Sequence, residues 1–278
     1  MRIRHAAFAA AAGSALLAAA VQPPDAVARP RLRGAAREDF AVREGTVGAA
    51  ALLAEVKGCS QISKGKYRTD DGLRRGRART AASVPVCKKN GAVFWKADMD
   101  IDCDGQPTTK CNSTTDAYFQ SATAFQQSDG RQLNSEKLPF IVVPSSSSIW
   151  NYRTSGIVGG TVAAVIYKNR VVYAVVGDMG PSGIIGEASY ATAKALGINP
   201  DPTYGGVESG VTYILFTNSR VSPIESHSGA VALGDELARE FVQNNEDAQR
   251  QNQSADGDTY EGRDIPEGGD AYEDGLNP

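Results

Sequence analysis

The stretch VVYAVVGDMGPSGIIGEASYATAKAL, residues 171–196, carries the strongest fold signal in the chain. Val171–Val176 is apolar and β-branched, which reads as a buried strand. Lys168-Asn169-Arg170 separates it from a similar run, Thr161–Tyr167, so the two are expected to form a hairpin. A turn rich in glycine follows the strand, with Gly177, Gly180, Pro181, Gly183 and Gly186. Ala188–Leu196 then has helical composition, with Gly197 at the position that favours a left-handed cap. The unit therefore reads strand, loop, helix, with Asp178 leaving the strand and Glu187 opening the helix.

Working outward, strand signals dominate. Ala92–Trp95, Phe140–Val143 and Val211–Phe216 are short apolar or β-branched runs. Ala49–Lys57 reads as a short helix ended by Gly58, Ala117–Gln127 as a second helix, and Asp235–Val242 as another. Many strands with few helices and many turn residues predict a mostly β, α+β domain built as a compact barrel.

The two ends differ from this middle. Residues 1–28 open with Met-Arg-Ile-Arg-His, continue through the alanine-rich Ala6–Val21 and end in Ala26-Val27-Ala28, the pattern of a cleaved signal peptide. The run is weaker than the roughly 20 strongly apolar residues of a spanning helix. Export, an extracellular location and no membrane attachment after cleavage are expected. Residues 29–46 read as a linker or pro-segment, 47–242 as one domain large enough for a single core, and 243–278 as a disordered acidic tail. From Asp235 onward thirteen acidic residues face three arginines.

Removing the ends exposes an internal asymmetry. Lys57–Lys96 holds eleven lysines and arginines, whereas residues 97–234 hold twelve acids against eight bases. The basic cluster around Arg74-Arg75-Gly76-Arg77 is not interleaved with aromatic residues, which argues against nucleic acid as a partner. Four cysteines, Cys59, Cys87, Cys103 and Cys111, fit two disulfides in an exported domain. Three connectivities are open, and pairing of neighbours, Cys59–Cys87 and Cys103–Cys111, is the working expectation. Zinc is disfavoured because no C-x-x-C pair exists and His227 is the one histidine after the signal.

Two carboxylate groupings could carry chemistry. Asp178 and Glu187 are nine residues apart, and hydrolysis of a glycoside needs two carboxyl groups in different protonation states. The same residues would also suit a turn cap and a helix start. The second grouping is Asp98-Met-Asp100-Ile-Asp102-Cys-Asp104-Gly105. In a strand all four aspartates share one face, and such a row needs a cation. Calcium is one candidate, since Asp100, Asp102, Asp104 and Gly105 match the start of an EF-hand loop; the twelfth position, however, is Cys111 rather than Glu. A buried arginine and a cationic substrate along the row are the other candidates, and the substrate is preferred over metal. No metal or other cofactor is expected. The absence of a G-x-S-x-G elbow removes the usual serine-hydrolase scheme.

The string Ala97-Asp98-Met99-Asp100-Ile101-Asp102-Cys103-Asp104-Gly105 resembles one found in glycoside hydrolase family 75 chitosanases. The resemblance continues through Lys110-Cys111, Thr123-Ala124-Phe125 and Gly177-Asp178…Gly186-Glu187-Ala188-Ser189, covering roughly Cys59 to Phe216. It implies a secreted, monomeric endo-chitosanase cutting the β-1,4 links of the polycation chitosan with inversion. Asp178 and Glu187 match the essential pair of that family, with Glu187 assigned as acid and Asp178 as base. Asp98, Asp100, Asp102 and Asp104 are then expected to bind substrate. The turn Gly-Asp-x-Gly before a helix also resembles six-stranded double-psi β-barrels, as in lytic transglycosylases and expansins. Rival readings are thus a peptidoglycan-cleaving enzyme and a non-catalytic wall-binding module. Lys64–Arg79, Met179 and Pro181 depart from the family's pattern.

Overall fold

The computed structural model describes residues 44–70, 72 and 78–257, with backbone alone for 252–257. The signal segment, the linker up to residue 43, most of the arginine cluster and residues 258–278 lie outside the described residues. The elements in chain order are α1 (Ala49–Glu55), β1 (Ser60–Gln61), β2 (Cys87–Lys89), β3 (Ala92–Asp102), β4 (Phe140–Pro144), β5 (Val162–Tyr167), β6 (Arg170–Gly180), β7 (Glu187–Ser189), α2 (Tyr190–Leu196), β8 (Val207–Phe216) and α3 (His227–Gly257), with a 3-10 turn at Tyr152–Ser155.

Six of the strands close on themselves in the order β3-β7-β4-β6-β5-β8, and β8 returns to β3. The barrel is mixed: β4 runs parallel to β6 and β3 parallel to β7, while the other neighbours are antiparallel. Closure leaves no exposed edge on those strands. The expected mostly β barrel is therefore present, as is the hairpin, with Tyr167 paired to Arg170 and Lys168 in the left-handed region.

Side chains alternate across the barrel wall. One apolar cluster draws on every barrel strand, including Trp95, Met99, Ile101, Ile141, Val165, Ala174, Val176, Ala188 and Tyr213, and fills the interior. The second joins Phe94, Phe140, Val142, Tyr173, Val175 and Phe216 to Leu52 of α1 and to Ala230, Ala238 and Phe241 of α3. Those two helices cover part of the outer surface. The start of the domain is pinned to α3, because Asp235 accepts hydrogen bonds from the backbone N–H groups of Thr46 (2.5 Å) and Val47 (3.3 Å). Both neighbour disulfides are formed, Cys59–Cys87 and Cys103–Cys111.

Several elements differ from the sequence reading. β3 continues past Trp95 to Asp102, carrying three of the four aspartates within a strand. α2 begins at Tyr190, capped by Ser189, whose hydroxyl accepts the N–H of Thr192 (3.2 Å). Glu187 consequently sits in β7 and does not open the helix. α3 runs to Gly257, beyond the Val242 expected for it, through a segment rich in the helix formers Gln, Glu, Ala and Arg. Asn245 in that extension is buried and hydrogen-bonded to Asn90.

The helix expected over Ala117–Gln127 does not form; the segment is turns and irregular backbone. Its amide groups are taken by side chains from elsewhere. Asp116 Oδ1 accepts the N–H of Tyr118 (2.9 Å), Asp104 Oδ1 that of Gln120 (2.7 Å), Gln132 Oε1 that of Thr123 (2.7 Å) and Asp178 Oδ1 that of Ala124 (2.7 Å). Backbone donors committed to such partners cannot also build a helical ladder.

Candidate active site

The strand register shows how Asp178 comes to the outer face of the barrel, where it is buried. Phe140 pairs with Val175 and Ile141 with Val176, but Val142 pairs with Asp178, leaving Gly177 as an extra residue in β6. Val172, Ala174 and Val176 face the interior. Regular alternation would send Asp178 the same way. The bulge at Gly177 moves it onto the outer face shared with Val142. The close approach requires glycine there: a Cβ on Gly177 would lie 2.6 Å from Phe140 Cβ and 2.8 Å from Leu133 Cδ1.

Val142 is also the partner of Glu187 in β7, and Glu187 in turn pairs with Asp100 in β3. Paired residues share a face, so Asp100, Glu187, Val142 and Asp178 form one row across four strands on the outside of the barrel. Asp178 and Glu187 stand two strands apart, about 9–10 Å between backbones at ordinary strand spacing. They line a pocket of about 200 Å³ together with Asp102, Asp104, Asp116, Tyr118, Met179 and Pro181. Its outer wall is the long excursion of residues 103–139.

The structure treats the four aspartates of the row differently. Asp102 and Asp104 join Asp178, with carboxylate oxygens of all three within 4.8 Å of one another. Asp100 faces a neighbouring cavity. Asp98 is only 2% exposed, lines neither space and lies beneath Gly186, where a Cβ would come 2.0 Å from its Oδ1. Of the expected four-aspartate row, Asp102 and Asp104 reach the pocket lined by Asp178 and Glu187, whereas Asp98 is covered by the turn at Gly186. Asp100 and Asp104 face different cavities, which does not fit the convergent ligands of an EF-hand loop. Among the described residues, Asp102, Asp104 and Asp178 are spaced so that they could hold a cation.

Asp178 Oδ1 accepts the N–H groups of Ala124 and Met179, each at 2.7 Å. Burial pushes its pKa up, and these two bonds oppose the rise. Asp102 lies well above the ordinary carboxylate range through burial and the nearby charges of Asp178, Asp104 and Glu187. Burial, against the N–H of Gln120 and with the charges of Asp178, Asp116 and Glu187, raises Asp104 to about 7. Crowding three carboxyls this closely disfavours ionising all of them together, so the cluster holds protons to higher pH than free carboxylates do.

A pH dependence of stability follows. A carboxyl whose pKa rises on folding binds its proton more tightly in the folded chain, and the stabilisation is lost as pH climbs from about 4 through about 7. The melting temperature is expected to fall across that interval, and Asp104→Asn to flatten the fall. A wild-type profile flat from pH 4 to pH 7.5 would contradict the assignment.

The pocket wall is held by local covalent and hydrogen-bonded ties. Cys103 sits between Asp102 and Asp104, and its disulfide to Cys111 closes the base of the excursion. Gly105 adopts φ +106°, and a Cβ there would meet Leu133 O at 2.2 Å. Ser135, fully buried, joins Asp102 O to the N–H of Tyr190, tying the end of β3 to α2. Breaking the disulfide with Cys111→Ser is expected to cost about 2–2.5 kcal/mol by loop-closure entropy. It should also displace Asp104; a thermal melt and a substrate-turnover assay read the two effects separately.

Asp116 and Tyr118 line the site but were not singled out from the sequence. The one local signal is an acid two residues before an aromatic residue in the acidic half of the domain.

Comparison with known proteins bears on this geometry. The model of the fungal chitosanases of glycosyl hydrolase group 75 matches residues 99–248, which contain Asp100–Asp104, Asp178 and Glu187. The chain belongs to that family. Among curated proteins it is 32% identical over 135 residues to Endo-chitosanase C of Aspergillus oryzae, covering 47% of this chain and 33% of that one. Endo-chitosanase B of Aspergillus oryzae (strain ATCC 42149 / RIB 40) is 27% identical over 172 residues, 56% of this chain and 71% of the relative. An endo-chitosanase of the same strain is 28% identical over 149 residues, 50% and 60% of the two chains. The chain spans about a third of the length of the endo-chitosanase C it matches. No helix among the described residues is long and apolar enough to cross a membrane.

Proposed function

We propose that this chain is an exported endo-chitosanase that hydrolyses β-1,4 links between glucosamine units by general acid and base catalysis from Glu187 and Asp178. The observation that carries the reading is the row across β3, β7, β4 and β6. It sets two carboxylates on the outer face of the barrel, with Val142 between them and further acids around them. Matching names among the relatives support chitosan as the polymer.

In this reading Glu187 gives its proton to the glycosidic oxygen as the C1–O bond breaks. Asp178 takes a proton from a water molecule whose oxygen bonds to C1 from the opposite side, so the product carries inverted configuration. Inverting enzymes keep the carboxyls roughly 6.5–9.5 Å apart to admit that water, compared with roughly 5–5.5 Å in retaining ones. Two-strand spacing favours the larger value. Glu187 stands in β7, ahead of the start of α2 at Tyr190. The two N–H groups on Asp178 Oδ1 favour its charged form against the burial that raises its pKa, and so support its role as the base. The substrate's own ammonium groups supply the cation that Asp102 and Asp104 need.

Incubation of the purified chain with chitosan, chitin, cellulose and peptidoglycan tests the proposal. Oligosaccharides from chitosan are the expected result. Cleavage of peptidoglycan instead, or of no polymer, would overturn it.

A further inference from the structure

The row of paired residues does not stop at Glu187. Its next member is Asp100, and Asp100 opens into a second cavity of about 240 Å³ on the side of Glu187 away from Asp178. This cavity and the catalytic pocket share Ile101, Asp116 and Tyr118 as a common wall, so one extended ligand can occupy both. Among the residues lining the second cavity are two carboxylates, Asp100 and Asp116, and several hydroxyls and backbone groups, with no lysine or arginine. Tyr118, on the ridge between the two spaces, is 51% exposed, unusual for a side chain of that size in this domain. The far wall is fixed, since the hydroxyl of Thr203 donates to Thr115 O at 3.0 Å.

We propose that this second cavity is a glucosamine subsite of the same cleft, in which Tyr118 is the platform for a sugar ring and Asp100 and Asp116 receive its ammonium. The proposal rests on the chitosanase reading above and deepens it. An aromatic face attracts a cation through its quadrupole and offers flat apolar surface to sugar C–H groups. Two carboxylates lining the cavity select a protonated amine over an acetamide, since an acetamide brings no charge to neutralise them. With Glu187 as the acid, a cavity beyond it on the side opposite the base receives the leaving portion of the chain. Asp116 and Tyr118 are thereby specificity residues, separate from the bond-breaking pair.

The test uses full-chain protein and a glucosamine hexamer labelled at its reducing end. Tyr118→Ala and Asp116→Asn are each expected to raise KM about tenfold with kcat changed less than about threefold, and to shift the preferred cleavage position along the hexamer. Tyr118→Phe should restore the wild-type pattern, which a merely structural defect at that position would not distinguish from alanine by product register. On partly acetylated hexamers with N-acetylglucosamine at the leaving side, Asp116→Asn should lose its effect. Unchanged KM and register in both variants would overturn the subsite while leaving the chitosanase reading intact. Calorimetric titration with the hexamer gives a readout independent of turnover: weaker binding by Tyr118→Ala is expected, and equal binding to wild type overturns the proposal even if no polymer is cut.

Discussion

Glu187→Gln and Asp178→Asn are each expected to lower chitosan hydrolysis by about 10³-fold, within the range that a general acid or base contributes. Neither change should disturb the fold. Asn at 178 keeps an oxygen to accept the N–H groups of Ala124 and Met179, the two bonds that anchor the side chain. It also removes one of three charges crowded within 4.8 Å, so the melting temperature should hold or rise above pH 7. Stability kept and turnover lost is the signature of chemistry. By the same logic Asp98→Asn, altering a residue packed beneath Gly186 rather than in the pocket, should act mainly on stability. A variant at 178 or 187 with turnover near wild type would remove that residue from the mechanism.

Gly177→Ala is the second large effect expected. The added Cβ would press on Phe140 and Leu133 at 2.6–2.8 Å, in a wall where both neighbours are fully buried. Overpacking of this kind costs about 2–3 kcal/mol, or about 5–10 °C in melting temperature for a domain of this size. The alternative to a clash is loss of the bulge, which would restore regular alternation in β6 and turn Asp178 toward Val176 and the apolar interior. Burying a carboxylate there without a partner is costlier still. Either outcome removes Asp178 from the row. Activity should therefore fall by much more than the loss of folded protein explains, as measured by turnover per folded molecule at a temperature well below the melt.

Much of the barrel was legible because its strands are built from β-branched runs, which burial on both faces requires. Thr161–Tyr167 matches its strand but for Thr161, and Val171–Val176 and Val211–Phe216 fall within strands. The second half of β3 was not legible as strand from propensity, since Asp98, Asp100 and Asp102 are poor strand formers. They are tolerated because their side chains lie on the outer face while Met99 and Ile101 fill the interior. Alternation did place the aspartates on one face, but it could not say that Asp98 would be covered by the 186 turn. Ala117–Gln127 reads as helix locally, and only partners far away in sequence, Asp104, Gln132 and Asp178, claim its N–H groups. Thr123-Ala124-Phe125 stood out by resemblance alone; the structure supplies a physical reason, since Ala124 holds Asp178. The bulge at Gly177 is invisible to any pattern of period two, yet it decides which face the candidate base occupies.

The anomeric configuration of the first product tests the central claim most directly. Proton magnetic resonance during cleavage of a glucosamine hexamer, recorded faster than the anomers exchange, reads it. A pair two strands apart across Val142, with water between the carboxylates, predicts that the new reducing end appears first as the α-anomer. Initial appearance of the β-anomer would mean retention and a covalent intermediate, and would contradict the proposed roles of Asp178 and Glu187.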